Sequence, residues 1–120
     1  MILIAVYSCS DLKKIKTICR IENRLFAPSI AKDRAVICGY LLDRQSNKPM
    51  EYAYITVPII KADVKTDDTG FFSFEVPIGK IIIIAKNIGN TSFTKVLHVK
   101  SQEKVTLHIL LGTTWIYSNE

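Results

Sequence analysis

Between Ala35 and Leu111 the chain is a succession of short runs rich in Ile, Val, Phe and Tyr, each closed by a cluster of Asp, Asn, Ser, Gly or Pro. That rhythm restricts the fold to β-structure. β-Branched and aromatic side chains suit a pleated, half-buried surface, and turn residues at short intervals leave little room for helices. Six strands are predicted: Ala35 to Leu42, Tyr52 to Ile60, Phe71 to Val76, Lys80 to Lys86, Ser92 to Val99 and Lys104 to Leu111. In the second, Ala53, Ile55 and Val57 alternate with Tyr52, Tyr54 and Thr56, so one face is buried. In the third, Phe72, Phe74 and Val76 form the buried side and Ser73 and Glu75 the wet one. Lys65 to Gly70 has the composition of a tight turn, in which Asp accepts local backbone hydrogen bonds and Gly supplies positive φ. The four isoleucines Ile81 to Ile84 are apolar on both faces, as in a central strand covered on both sides or a surface that meets a partner. The last two strands read as a terminal hairpin around residues 100–103.

The apolar share of 48% suffices for one core in 120 residues without metal or disulfide staples. The net charge of +5 comes from basic residues scattered between Lys13 and Lys104, with one local cluster at Lys13, Lys14 and Lys16. Nucleic acid is therefore not an expected partner, because phosphate tracking needs a contiguous basic face. The three cysteines, Cys9, Cys19 and Cys38, are too few and too widely spaced for a zinc motif. If Cys9 is set apart, Cys19 and Cys38 could form one bridge in an oxidising compartment or stay buried as small hydrophobes.

The start of the chain admits two readings. Met1 to Tyr7 is apolar and runs into Ser8-Cys9, followed by Ser10, Asp11 and several lysines. Val6-Tyr7-Ser8-Cys9 resembles the lipobox of bacterial lipoproteins, with Tyr7 bulkier than the usual residue. A secretory signal also begins with positive charge, and no Lys or Arg precedes Cys9, which places the true translation start upstream on this reading. Cys9 would then be the lipidation site and tether the chain to a membrane leaflet. On the other reading Ile2 to Tyr7 is a buried strand and Cys9 a packed thiol. From Ser10 to Leu25, Leu12, Ile15, Ile18, Cys19 and Ile21 recur at roughly helical spacing, and Ser10 or Asp11 would serve as the cap. The expected organisation is a truncated signal-like segment at 1–9, a linker or short helix at 10–34, a β-sandwich at 35–112 and a tail at 113–120.

The turn grammar carries a resemblance. Ile37-x-Gly39-x-Leu41-x-Asp43 is followed by Lys48-Pro49-Met50-x-x-Ala53-x-Ile55-x-Val57. Then comes Thr66-Asp67-x-x-Gly70-x-Phe72-x-Phe74-x-Val76-Pro77-x-Gly79. This order resembles the carboxypeptidase regulatory-like domain family, which shares the transthyretin-like sandwich. The resemblance implies an all-β, Ig-like antiparallel sandwich of six or seven strands with Greek-key character, preceded by a short tether or helix. It also implies an accessory module without activity of its own: relatives sit beside carboxypeptidase catalytic domains, at the front of outer-membrane receptors and in bacterial surface lipoproteins.

No enzyme, cofactor or metal is expected. His98 and His108 become cross-strand neighbours if the terminal hairpin pairs in register, yet no Cys, Asp or Glu lies beside them to complete a zinc site. Asp67, Asp68 and Thr69 lack the carboxylate spacing of a calcium loop and read as turn residues. The ending Trp115 to Glu120 differs from the Tyr-Arg-Gly-Ser ending of hydroxyisourate hydrolase, another transthyretin-like protein. For binding, Tyr40, Tyr52, Tyr54 and Phe71 alternate away from the core positions and could share an exposed sheet face, or pack under the N-terminal segment or between protomers. The expected role is a non-catalytic binding or assembly module of the bacterial cell envelope, in the periplasm or as an outer-membrane lipoprotein, with a cytoplasmic location as the alternative. Its partner would be an envelope protein, a peptide or a glycan. The alternative role is a structural or oligomerising domain that pairs by a strand edge.

Overall fold

Alternation decides where each strand stands. In the computed structural model, which describes residues 12–50, 52–87 and 92–116, the inward residues of six strands meet in a single core. The described residues form ten strands: β1 Leu12–Ile15, β2 Ile18–Phe26, β3 Arg34–Asp43, β4 Tyr54–Val57, β5 Ala62–Lys65, β6 Phe71–Pro77, β7 Gly79–Lys86, β8 Ser92–Val99, β9 Glu103–Leu111 and β10 Thr113–Ile116. They form a four-stranded sheet I in the order β2-β9-β3-β6, a four-stranded sheet II in the order β5-β4-β7-β8, and a two-stranded ribbon of β1 with β10. Ile37, Leu41, Phe72, Val76, Leu107 and Ile109 of sheet I pack against Ile55, Val57, Ile81, Ile83 and Leu97 of sheet II. The result is the expected all-β sandwich, with four strands in each layer. Pairing is antiparallel except between β3 and β9, which run parallel.

β3 shows how a glycine fixes the packing of sheet I. Between the inward residues Ile37 and Leu41 stands Gly39, where an added Cβ would lie 1.9 Å from the carbonyl oxygen of Leu107 on β9. No side chain fits, and β3 and β9 approach each other closely at this glycine. Gly70 closes the 67–70 turn at φ +85, and a Cβ there would come within 2.7 Å of the Leu41 carbonyl oxygen. The Gly70 carbonyl in turn accepts the Leu41 N–H at 2.8 Å, which ties the turn to the strand it serves.

Three sequence expectations are corrected. The region expected as a linker or short helix holds β2, which pairs along its length with β9, from Ile18↔Leu110 to Phe26↔Glu103. Ile15, Thr17, Ile18 and Ile21 are β-branched, and the open edge of β9 offers backbone partners that a helix would forgo. The register shifts between Ile21 and Asn23, leaving Glu22 as a bulge. Next, β8 and β9 are no hairpin: β8 is the edge of sheet II, and the chain crosses at residues 100–102 to sheet I. The crossing is held to the 27–34 segment, with Gln102 N–H on the Arg34 carbonyl at 2.8 Å and Ala27 N–H on the Gln102 carbonyl at 2.8 Å. Their apolar faces therefore meet across the core, Leu97 and Val99 on one side and Val105 and Leu107 on the other. Finally, the strand expected from Tyr52 to Ile60 is shorter. Pro58–Ile60 forms a 3-10 turn, and Lys61 at φ 52 reverses the chain into β5.

Candidate binding groove

β7 is central in sheet II, but only one of its faces is covered, not both. Ile81 and Ile83 enter the core, while Ile82 and Ile84 stand on the outer face of sheet II. On the same outer face, cross-strand register builds a row of Lys65 on β5, Tyr54 on β4 and Lys86 on β7. The next row carries Asp63 opposite Thr56, whose hydroxyl donates to the Asp63 carboxylate at 2.8 Å.

Tyr52 stands beside this row. Its backbone is left-handed, φ 54, a conformation costing on the order of 1 kcal/mol or more for a bulky residue. The flanking residue is fixed: Ala53 is buried, and its carbonyl accepts both the N–H and the hydroxyl of Thr66 at 3.3 Å. The strained link thus turns the Tyr52 ring out of the fold, leaving it 66% exposed. Tyr52 and Lys65 line two adjoining hollows. One of about 430 Å³ is completed by Tyr54 and Asp63, and one of about 670 Å³ by Lys48, Met50 and Asp68.

The charges in this groove are unequally committed. Asp67 Oδ1 accepts the Thr69 hydroxyl at 2.7 Å and the N–H groups of Thr69 and Phe71 at 2.9 Å each. Those bonds, the Thr69 hydroxyl first, hold its carboxyl below the ordinary value of 3.8. Asp67 therefore serves its own turn, and Asp63 serves Thr56. No carboxylate partner lies within ion-pair distance of Lys48, Lys65 or Lys86 among the described residues. The groove presents two phenols among mixed charges, Lys48 and Lys65 beside Asp63, Asp67 and Asp68, a combination suited to a ligand with a flat or apolar face and polar groups at its rim.

The four aromatic residues singled out by alternation separate into two pairs. Tyr52 and Tyr54 belong to the groove on sheet II. Tyr40 and Phe71 are cross-strand partners on sheet I, their ring centroids 5.4 Å apart at 61°. Tyr40, Tyr52 and Phe71 are exposed and Tyr54 is half-buried, and one face does not hold all four.

His98 and His108 lie on different sheets, so the cross-strand pair expected of them does not form. His108 instead sits opposite Arg20 and Tyr40. Its Nδ1 lies 3.4 Å from both Arg20 Nη2 and Glu22 Oε2, accepting from Arg20 when unprotonated and donating to Glu22 when protonated. Sequence reasoning missed Arg20 and Glu22 because their segment was not read as a strand. Cys19 and Cys38 are free thiols. They sit on β2 and β3 with β9 between them and face β9 residues three apart, Ile109 and Thr106, so they are more than roughly 9–10 Å apart, beyond the reach of a disulfide. Burial raises the Cys19 thiol pKa, with Lys95 opposing. Among the described residues no three of His, Cys, Asp and Glu gather as a metal site, and no helix is long and apolar enough to cross a membrane. Cys9 lies outside the described residues, and so does residue 51.

The family model of the CarboxypepD_reg-like domain matches residues 37–120. No curated protein matches the chain. The matched span begins at Ile37, takes in Gly39 and the Asp67 to Gly70 turn, and covers the whole groove, so the chain belongs to the CarboxypepD_reg-like domain family.

Proposed function

We propose that this sandwich is a non-catalytic binding module of the bacterial cell envelope, held to a membrane through an acylated Cys9, with the Tyr52 groove as its ligand site. The observation that carries the binding role is the outward Tyr52 ring, set on a strained backbone between lysines that the fold does not use. Residues kept in costly conformations at an open hollow are a mark of recognition sites. The non-catalytic role is supported by the carboxylates: Asp63 and Asp67 are already bonded within the fold and are poorly placed to act as base or metal ligand. Support for the anchor is the Val6-Tyr7-Ser8-Cys9 order.

The test is expression of the gene with its upstream codons in a Gram-negative host, followed by fractionation and intact mass, with Cys9→Ala as control. A membrane-bound chain that begins at an acylated Cys9 is expected. An unmodified chain in the cytosol overturns the envelope reading and leaves the groove to a soluble ligand. A second reading, assembly by strand-edge pairing, is favoured by the open outer edge of β2, where Ile21 and Leu25 are exposed. A dimer in solution that dissociates on Ile21→Pro would support it.

A further inference from the structure

Sheet register places four connections at one end of the sandwich: residues 27–33 after β2, 58–61 after β4, 77–79 between β6 and β7, and 100–102 between β8 and β9. The opposite end holds the groove and the point where β2 begins, beside Arg44, which donates to the Lys16 carbonyl. Among the described large side chains without a polar atom, the four most exposed are Phe26 at 70%, Ile59 at 57%, Leu25 at 56% and Ile78 at 48%. All four belong to the connection end. Scattered apolar side chains are ordinary on a protein surface, but the most exposed ones collected on one end are not.

The same end is basic. Lys32, Lys61, Lys80 and Lys100 stand in or beside these connections, and none makes an ion pair within the described residues. Of the nearby acids, Glu103 is already taken by Arg24 at 3.1 Å and by the Lys100 N–H at 3.0 Å, and the exposed Asp33 in the 27–33 connection offsets one of the four lysines. The connections are also braced from within. Ile30 is buried under the end, its carbonyl accepts Gln102 Nε2 at 2.8 Å, and the Ser101 hydroxyl donates to the Lys32 carbonyl. The apolar tips therefore project from a firm base.

We infer that this end is a docking surface for an anionic lipid surface, with Phe26, Ile59 and Ile78 entering the headgroup layer and the four lysines meeting lipid phosphates. Apolar tips ringed by uncommitted ammonium groups match a surface that is greasy beneath and negative above. A second copy of the chain is a poor occupant, because two such ends would set like charges against each other. The inference is independent of the Cys9 anchor, and its test removes that anchor.

The full chain carrying Cys9→Ser is sedimented with vesicles of phosphatidylglycerol and phosphatidylethanolamine in equal parts, and with vesicles of phosphatidylcholine alone. Binding to the anionic vesicles only is expected, falling steeply as salt is raised. Phe26→Ser with Ile78→Ser should weaken it at least about tenfold. Lys61→Glu with Lys100→Glu should weaken it by about tenfold or more. Circular dichroism confirms the fold of each variant, and Thr94→Ala, an exposed position on β8 away from these connections, should bind as the parent does. Equal binding to phosphatidylcholine, no binding to either vesicle, or binding that survives both double substitutions would overturn the proposal. Binding to dextran sulfate as tight as to vesicles, and indifferent to Phe26→Ser with Ile78→Ser, would reassign the end to a soluble polyanion and equally overturn it.

Discussion

β2 and β3 flank the same strand, β9, and they could hardly differ more in how they are held. β3 lies inside sheet I with sheet II over its inner face, so Ala35, Ile37 and Leu41 have no exposed surface and Gly39 touches the β9 backbone. β2 is the outer edge, where only Cys19 is even half-buried and Leu25 and Phe26 stand largely in solvent. Both strands pair with β9 along most of their length. The difference teaches that backbone pairing alone does not stamp a pattern on a sequence. Burial of one face does, and β2 largely lacks it.

The contrast is sharpest at Gly39. Gly39→Val would place a side chain into the Leu107 carbonyl, with no room on the β9 side for it to move. A loss of about 4 kcal/mol or more is expected in urea unfolding, enough to leave little folded protein. A folded Gly39→Val chain with near-normal stability would mean that β3 and β9 are not in the register described. One step down in size, Ile37→Ala on β3 should cost about 2–5 kcal/mol through the cavity it leaves. Ile21→Ala on β2, which is 40% exposed, should cost about 1 kcal/mol or less. Equal costs at the two positions would erase the distinction between the strands.

The same distinction explains what could be read in advance. β3, β6, β8 and β9 follow from alternation and flanking turns, and Ser92 to Val99 matches β8 end to end. Alternation tells which side of a strand is buried, but not which sheet the strand joins. For that reason His98 and His108 were paired across a hairpin that the crossing at residues 100–102 abolishes, and Tyr40 and Phe71 were grouped with Tyr52 and Tyr54. β2 was hidden because apolar residues at 12, 15, 18 and 19 mimic a helical stripe. The β-branched Ile15, Thr17, Ile18 and Ile21 were the available counter-signal. Within the groove, the tyrosines were readable from alternation. The lysines beside them depend on register between β4, β5 and β7, which no local pattern encodes.

Asp67 tests whether the turn next to β3 is as tightly specified as the strand. Its carboxyl titrates below 3.8 because the Thr69 hydroxyl and the Phe71 and Thr69 N–H groups favour the charged form. A depressed pKa adds stability that is fully present above the ordinary aspartate range and is lost as pH falls through the lowered value. Asp67→Ala should therefore melt below the parent at neutral pH, and the gap should close as pH drops under 3.8. A gap that persists unchanged into strong acid would show that the carboxylate's charge plays no part in the turn.

The smallest effect concerns what ties the edge strand down. Arg24 bonds the Glu103 carboxylate at 3.1 Å and the His98 carbonyl at 3.1 Å, so one guanidinium links β2 to its neighbour β9 and to β8 in the other sheet. Ion pairs in reach of solvent contribute about 0–1 kcal/mol, and Arg24→Ala should lower global stability by no more than that. The local consequence should be larger in kind, because β2 has little buried surface to hold it once the link is gone. Amide exchange along β2 should quicken while that of β3 stays unchanged, the behaviour of a low-stability edge that opens without the core. Uniform acceleration in both strands would instead make β2 part of the same cooperative unit as β3, and the open edge would then be as firmly built as the centre.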